Sequence, residues 1–323
     1  MKRQSGAALI TVLMIIAIVM VLAVNMTGRL QLQLQRQQNI QQQQQAFWYA
    51  IGAEEFSRVL LRRTVVGQET VNLSQDWALE GATFPVDNGT ISGQIQDLQS
   101  CFNLNALQQS SPAAGQQSVM QSAFQRLTEL VATELSMPAE YLAARISDWI
   151  DSDTLLSIPG SAEDDDYAAL LYPYYSANSL MVSETELRVI LGITPADYQQ
   201  LRPYICVIPE ETSLQLNINT LTEDNAVLLA ALIPQLDAGA AQDIIASRPE
   251  QGFGSVEELF SSSALSGITV ADEVKSLLTV KSVYFRLTAT TAYQESGFVL
   301  TSVLKIDGNN QVRVLARRFG GQE

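Results

Sequence analysis

The feature that most constrains this chain is an apolar run near its N-terminus. Residues 7–24 carry no polar side chain other than that of Thr11. A helix of this length spans about 27 Å, close to the thickness of a bilayer core. Lys2 and Arg3 precede the run, so the positive-inside rule places the N-terminus in the cytoplasm and the body of the chain outside. The run predicts one transmembrane helix.

The small residue that ends the basic leader lies before the apolar run. An ordinary signal peptide has its cleavage site after the apolar core, whereas Gly6 stands directly before it here. This arrangement resembles type IV prepilins and pseudopilins. The resemblance implies that prepilin peptidase cuts after Gly6 and leaves Ala7 as the first mature residue. Most members have Glu at the fifth mature position, where this chain has Thr11. An uncleaved signal anchor is the alternative.

Charge and composition exclude several classes of function. The chain of 323 residues has a formal charge of −15, and residues 64–323 carry 12 basic and 32 acidic side chains. Such a body repels phosphate backbones, which argues against nucleic-acid binding and suits a cation or a basic protein partner. There is no His, and no phosphate-binding loop, nucleophile elbow or dinucleotide fingerprint. We therefore expect no enzymatic activity.

The chain contains two cysteines, Cys101 and Cys206. An even pair in an oxidising compartment suggests one disulfide bond. Two buried free thiols are the alternative.

The apolar run is expected to continue as one helix to about residue 63. The Gln-rich stretch 31–45 has neither Gly nor Pro, and apolar side chains resume at Ala46. Alternating apolar residues predict a first strand over 89–98 and further strands over 283–293, 297–306 and 311–319. The predicted fold class is therefore α+β, with a long N-terminal helix packed on a small antiparallel sheet.

A large insertion with helical signals separates the first strand from the last three. Its apolar spacing at Met120, Phe124 and Leu127, and the cap at Thr194-Pro195, predict helices. The proposed division is a leader at 1–6, a transmembrane helix at 7–24, a pilin-like helix and first strand at 25–101, an all-helical acidic insert at 102–280, and C-terminal strands at 281–323.

The chain as a whole resembles the K-type minor pseudopilins of the bacterial type II secretion system. The resemblance lies in the leader, Thr11, the long helix, the sheet and the acidic insert. The resemblance implies an inner-membrane anchor, a body in the periplasm, I-type and J-type minor pseudopilins as partners, and a place at the tip of the pseudopilus, where the subunit nucleates assembly. A minor pilin of a type IV pilus is an alternative.

The insert contains a dense acidic segment. Asp148 and six further carboxylates fall within nineteen residues, and no Lys or Arg lies between Arg145 and Arg188. Hard oxygen ligands suit Ca²⁺, although the spacing fails the EF-hand pattern at three positions. The resemblance to K-type pseudopilins implies calcium in this region, and a solvated acidic loop is the alternative. We expect Asp148 to be the weakest candidate, and the predicted ligands are Asp151, Asp153, Glu163, Asp164, Asp165 and Asp166.

A second motif begins at Leu216-Asn217-Ile218-Asn219 and continues into two helical segments. It resembles the helix-hairpin-helix units of DNA-uptake proteins, and residues 102–105 resemble a degenerate copy of its opening. Asp237 stands in the hairpin and Arg248 is the only nearby cation, so we expect phosphate binding to be lost. The rival function, a membrane-tethered DNA receptor, rests on this motif alone.

Overall fold

The computed structural model describes residues 5–79, 81–108, 118–132, 134–262 and 265–320. In chain order, its helices are α1 (Ser5–Thr64), α2 (Val119–Val131), α3 (Ala139–Ile150), α4 (Asp164–Ala168), α5 (Pro195–Leu201), α6 (Val227–Leu232), α7 (Ala238–Ala246), α8 (Val256–Phe260) and α9 (Asp272–Lys275). Its strands are β1 (Ala82–Val86), β2 (Gly89–Asp97), β3 (Phe102–Asn103), β4 (Ile205–Cys206), β5 (Leu216–Asn217), β6 (Leu278–Thr279), β7 (Tyr284–Tyr293), β8 (Ser296–Ile306) and β9 (Val312–Phe319).

Helix α1 is one continuous element of 60 residues, so the prediction of a single helix is confirmed. Residues 8–41 of this helix are exposed. The helix is long and apolar enough to cross a membrane by length and composition. In the second half, the small side chains of Ala46, Ala50 and Ala53 are buried against the sheet. Because alanines at this helical spacing share one face, the helix backbone can approach the strands closely.

The sheet has the strand order β1-β2-β7-β8-β9, and all of its pairs are antiparallel. The predicted strands are present as β2, β7, β8 and β9. Strand β1 was missed, because Pro85 in a short run argues against a strand. It lies at the edge of the sheet, where a proline is tolerated, and pairs only with β2.

The core between α1 and the sheet is mainly apolar, and it contains one buried carboxylate that pairs with a more exposed arginine. Trp77 packs edge-on against Phe285 with ring centroids 5.1 Å apart. Glu54 on α1 is fully buried and accepts two hydrogen bonds of 2.8 Å from Arg317 on β9. This pair ties the helix to the far edge of the sheet.

The chain between β2 and β7 forms a separate apolar core around α2, α3 and α6. The prediction of an all-helical insert was wrong in detail, because β3 pairs with β4 and β5 pairs with β6, both in parallel. In each pair, the first strand ends at the first asparagine of an Asn-x-Asn segment. Asn103 accepts a hydrogen bond from the amide of Asn105, and Asn217 accepts one from the amide of Asn219. Residues 102–105 therefore do repeat the local geometry of residues 216–219.

A disulfide bond and a buried carboxylate are among the features that join this region to the sheet. A disulfide bond links Cys101 to Cys206, with a Cα–Cα distance of 5.8 Å, as predicted from the even cysteine count. Beside it, the buried carboxylate of Asp97 accepts hydrogen bonds from Ser282, Thr220 and the amide of Gln99. Burial raises the pKa of Asp97 to about 6, although these donors oppose the shift.

Candidate functional site

The structure gathers three carboxylates beside the C-terminus of α3. Oxygen atoms of Asp148, Asp151 and Glu163 lie within 4.8 Å of one another. Asp148 and Glu163 are buried and Asp151 is half-buried. Asp148 lies in the last turn of α3, and Asp151 is the C-cap residue directly after that helix. Glu163 reaches the pair from the start of α4.

Each of these carboxylates has an oxygen that lacks a protein partner. Asp148 Oδ1, Asp151 Oδ1 and Glu163 Oε1 are buried without a hydrogen bond among the described residues. No described salt bridge neutralises the cluster. Unpartnered buried carboxylate oxygens are costly, and a bound cation is the ordinary way to satisfy them. The donor set therefore fits a hard divalent cation.

The pKa values of the three carboxylates are raised by their burial and by the negative charges close to them. Burial, followed by the charges of Asp153 and Asp148, raises the pKa of Asp151 to about 6. Burial and the charges of Asp148 and Asp151 raise the pKa of Glu163 to about 7. Burial raises the pKa of Asp148 as well. Because a cation favours the ionised form of all three groups, its binding would release protons near neutral pH.

The other predicted ligands have different positions. Asp153 is exposed, and its side chain accepts a hydrogen bond from the amide of Leu155. Asp164 accepts hydrogen bonds from the amide and hydroxyl groups of Ser176. Asp166 caps the first turn of α4 and Asp165 is exposed.

Asp148, expected to be the weakest candidate, is a central member of the cluster. The signal that identifies it in the sequence is its position in the last turn of an amphipathic helix, three residues before Asp151 at the helix end. The approach of Glu163 has no such local signal.

In the helix-hairpin-helix segment, the side chains of the motif form hydrogen bonds with backbone groups of the same segment. Asn219 exchanges hydrogen bonds of 2.9 and 2.7 Å with the backbone of Phe253. Arg248 donates to the carbonyl oxygens of Ile218 and Leu221. Asp237 caps α7 by accepting a hydrogen bond from the amide of Ala240. The motif residues therefore serve the packing of this region.

At the N-terminus, Gly6 and Ala7 lie within α1, whereas leader residues 1–4 lie outside the described residues. The hydroxyl group of Thr11 donates to the carbonyl oxygen of Ala8 at 2.9 Å. Its polar group is thus satisfied inside its own helix, and the position offers no negative charge to a neighbour.

Comparisons with known proteins agree on one family. Two family models match, both described as type II secretion system (T2SS), protein K; they cover residues 100–210 and 216–281. The type II secretion system protein K of Pectobacterium carotovorum is 36% identical over 99% of this chain and 97% of its own length. The corresponding protein of Aeromonas hydrophila is 36% identical over 100% of this chain and 99% of its own.

A solved structure gives the same result for the fold. One chain in the crystal structure of the GspK–GspI–GspJ complex from enterotoxigenic Escherichia coli matches with a TM-score of 0.80 and 29% identity. The match covers 89% of this chain and 100% of that one.

Proposed function

The chain belongs to the protein K family of the type II secretion system, and we propose that this minor pseudopilin forms the tip of the periplasmic pseudopilus. In this proposal residues 7–24 anchor the chain in the inner membrane after prepilin peptidase has cut between Gly6 and Ala7. Residues 25–101 and 281–323 form the pilin-like module, and residues 102–280 form a bulky body. The family favours type II secretion over a type IV pilus and over a DNA receptor.

The observation that carries the proposal is the state of Thr11. A subunit within the filament needs a charge at this position to pair with the N-terminal amine of the subunit ahead of it. The hydroxyl group of Thr11 is instead bonded to its own helix, which suits a subunit with no subunit ahead. The inserted body would also be too large to repeat along a tight filament, which supports the same end position.

The proposed partners are the I-type and J-type minor pseudopilins, because a relative with the same fold was solved in a complex with GspI and GspJ. The three would form a complex in the membrane, beneath which later subunits add. We infer no catalytic role, since the family is a structural one.

Co-purification tests this assignment. The chain should be recovered from inner membranes beginning at Ala7, in complex with the I-type and J-type subunits. Thr11→Glu should leave secretion unchanged or slightly reduced, because the new carboxylate finds no amine. Improved secretion by Thr11→Glu would contradict the tip position, and a chain that still begins at Met1 would contradict the processing.

We further propose that Asp148, Asp151 and Glu163 hold a structural calcium ion. Support comes from their three unpartnered oxygens and from the absence of a neutralising described cation. Calcium should raise the melting temperature of chelator-stripped protein, and Asp148→Asn should abolish the shift. Asp165→Asn is the matched control, because this exposed neighbour lies outside the cluster. A chain that shows no shift at millimolar calcium would refute the site.

A further inference from the structure

An apolar groove runs between α1 and the edge of the sheet. Its volume is about 470 Å³. The side chains that line it include those of Phe56, Leu60, Trp77, Leu79 and Phe84. Leu79 is 66% exposed and Phe56 is 55% exposed, and the rings of Phe56 and Phe84 meet with centroids 5.7 Å apart. Large apolar side chains left open in one concave surface indicate an interaction site.

Two glycines keep this groove open. Gly52 lies in the interior of α1 and Gly93 lies in the interior of β2, and both line the groove. A Cβ at Gly52 would meet no atom within 4 Å, and one at Gly93 would meet only Leu287 Cδ1 at 3.9 Å. Neither glycine has a positive φ. Glycine weakens helix and strand interiors relative to alanine, so packing within this chain does not account for either residue.

The position of the groove excludes lipid as its occupant. Gly52 follows the end of the apolar run at Val24 by 28 residues of continuous helix. At a rise of 1.5 Å per residue this places the groove about 40 Å from the apolar segment. The occupant is therefore a protein segment.

The charge on the groove lining indicates which kind of protein segment can bind there. Among the residues that the structure describes, Asp76 is the only charged one that lines the groove. It is exposed, and it forms no salt bridge within the described residues. The hydroxyl group of Ser57 is already bonded to the carbonyl oxygen of Ala53. A complementary partner thus presents apolar side chains with a Lys or Arg placed to meet Asp76.

We propose that this groove seats an amphipathic helix of another minor pseudopilin, with an apolar face between α1 and β1 and a basic side chain at Asp76. The inference rests on the proposed function, because it assigns the tip complex a specific contact surface. It identifies Gly52 and Gly93 as the residues whose missing side chains make room for that helix.

The test fills the groove and measures binding. Full-length chain in detergent is titrated with purified I-type and J-type subunits, singly and together. Gly52→Trp places a ring in the groove and should weaken binding at least tenfold, without lowering the melting temperature. Gly308→Trp is the matched control, because Gly308 lies in the exposed β8–β9 turn with open space around it, and it should bind as the wild type does.

Two surface variants cover the case in which Gly52→Trp misfolds. Asp76→Lys should weaken binding most at low salt, and Leu79→Ser should weaken it at every salt concentration. Unchanged binding by all folded groove variants would overturn the inference and leave the tip function intact, whereas a wild-type chain that binds neither subunit would overturn both. Self-association that Gly52→Trp abolishes, with I-type and J-type binding unaffected, would assign the groove to a second copy and overturn the inference.

Discussion

The pair between the buried Glu54 and the more exposed Arg317 gives a prediction whose size follows from its surroundings. Glu54 has no exposed surface, and it accepts two hydrogen bonds from Arg317 and one of 2.5 Å from Ser302. Arg317→Met removes the two charged hydrogen bonds and keeps most of the apolar stem. The carboxylate then stays buried with Ser302 as its remaining partner.

Two considerations bound the loss of stability. Breaking a fully buried ion pair costs about 3–5 kcal/mol, and the 42% exposure of the Arg317 side chain reduces the cost for this pair to the bottom of that range or below it. The stranded Glu54 can also take up a proton. From its ordinary pKa of 4.5, this uptake costs about 3.4 kcal/mol at pH 7, which limits the loss. We expect Arg317→Met to lower the free energy of unfolding by about 2–3 kcal/mol.

The pH dependence supplies a second signature. Burial raises the pKa of Glu54, but the hydrogen bonds and charge of Arg317 and the hydrogen bond of Ser302 outweigh burial, so the net shift is downward. A lowered pKa means that the pair stabilises the fold above pH 4.5 and that this contribution is lost as the pH falls through the folded pKa. Arg317→Met should therefore cost more at pH 7 than at pH 4.

Urea denaturation of a fragment that starts at Asn25 measures the effect. Trp77 is the reporter, because it packs on Phe285 in the same core; Trp48 and Trp149 are replaced by Phe. Arg313→Met is the control, since Arg313 lies on the same strand and pairs with the half-buried Asp307 through a side chain that is 66% exposed, and it should cost less. A loss below about 1 kcal/mol for Arg317→Met, or an equal loss at pH 4 and pH 7, would refute the buried-pair reasoning.

Three further predictions concern the region that joins the sheet to the helical body. Burial raises the pKa of Asp97 from 3.8 to about 6. The contribution of Asp97 to the free energy of unfolding is therefore fully present below pH 3.8 and falls by about 3 kcal/mol as the pH rises through 6. Asp97→Asn should remove this pH dependence from denaturation curves taken between pH 4 and pH 7. Replacing Cys101 and Cys206 by Ser opens a loop with a sequence separation of 105 and should cost about 2–4 kcal/mol in the same assay, and an unchanged midpoint would contradict this. Asn219→Ala leaves both backbone groups of Phe253 unpaired and should cost about 2–3 kcal/mol, whereas Gln43→Ala on the exposed face of α1 should cost nothing measurable.

The acidic site shows how much of a candidate binding site a local sequence pattern can predict. The density of carboxylates between Asp148 and Asp166 marks the stretch of chain in which the structure gathers three of them, and like charges placed together need a cation or solvent. The choice among those carboxylates depends on which ones the fold buries together. Asp148 and Asp151 are close together because both lie at the C-terminal end of α3, but Glu163 joins them only because the chain after α3 folds back.

The sequence by itself determined the elements whose side-chain pattern repeats over a short stretch of the chain. The apolar run, the Gln-rich helix and the alternation of the C-terminal strands follow from side-chain period and chemistry within short windows, and the disulfide bond was predicted from the count of two cysteines. Tertiary structure alone decided the place of β1 at the sheet edge, the meeting of Glu54 with Arg317, and the groove above Gly52 and Gly93. Each of these depends on contacts between residues distant in the chain, as where β2 pairs with β7 across the whole helical body. Such contacts are set by packing and burial, which no local window of sequence contains.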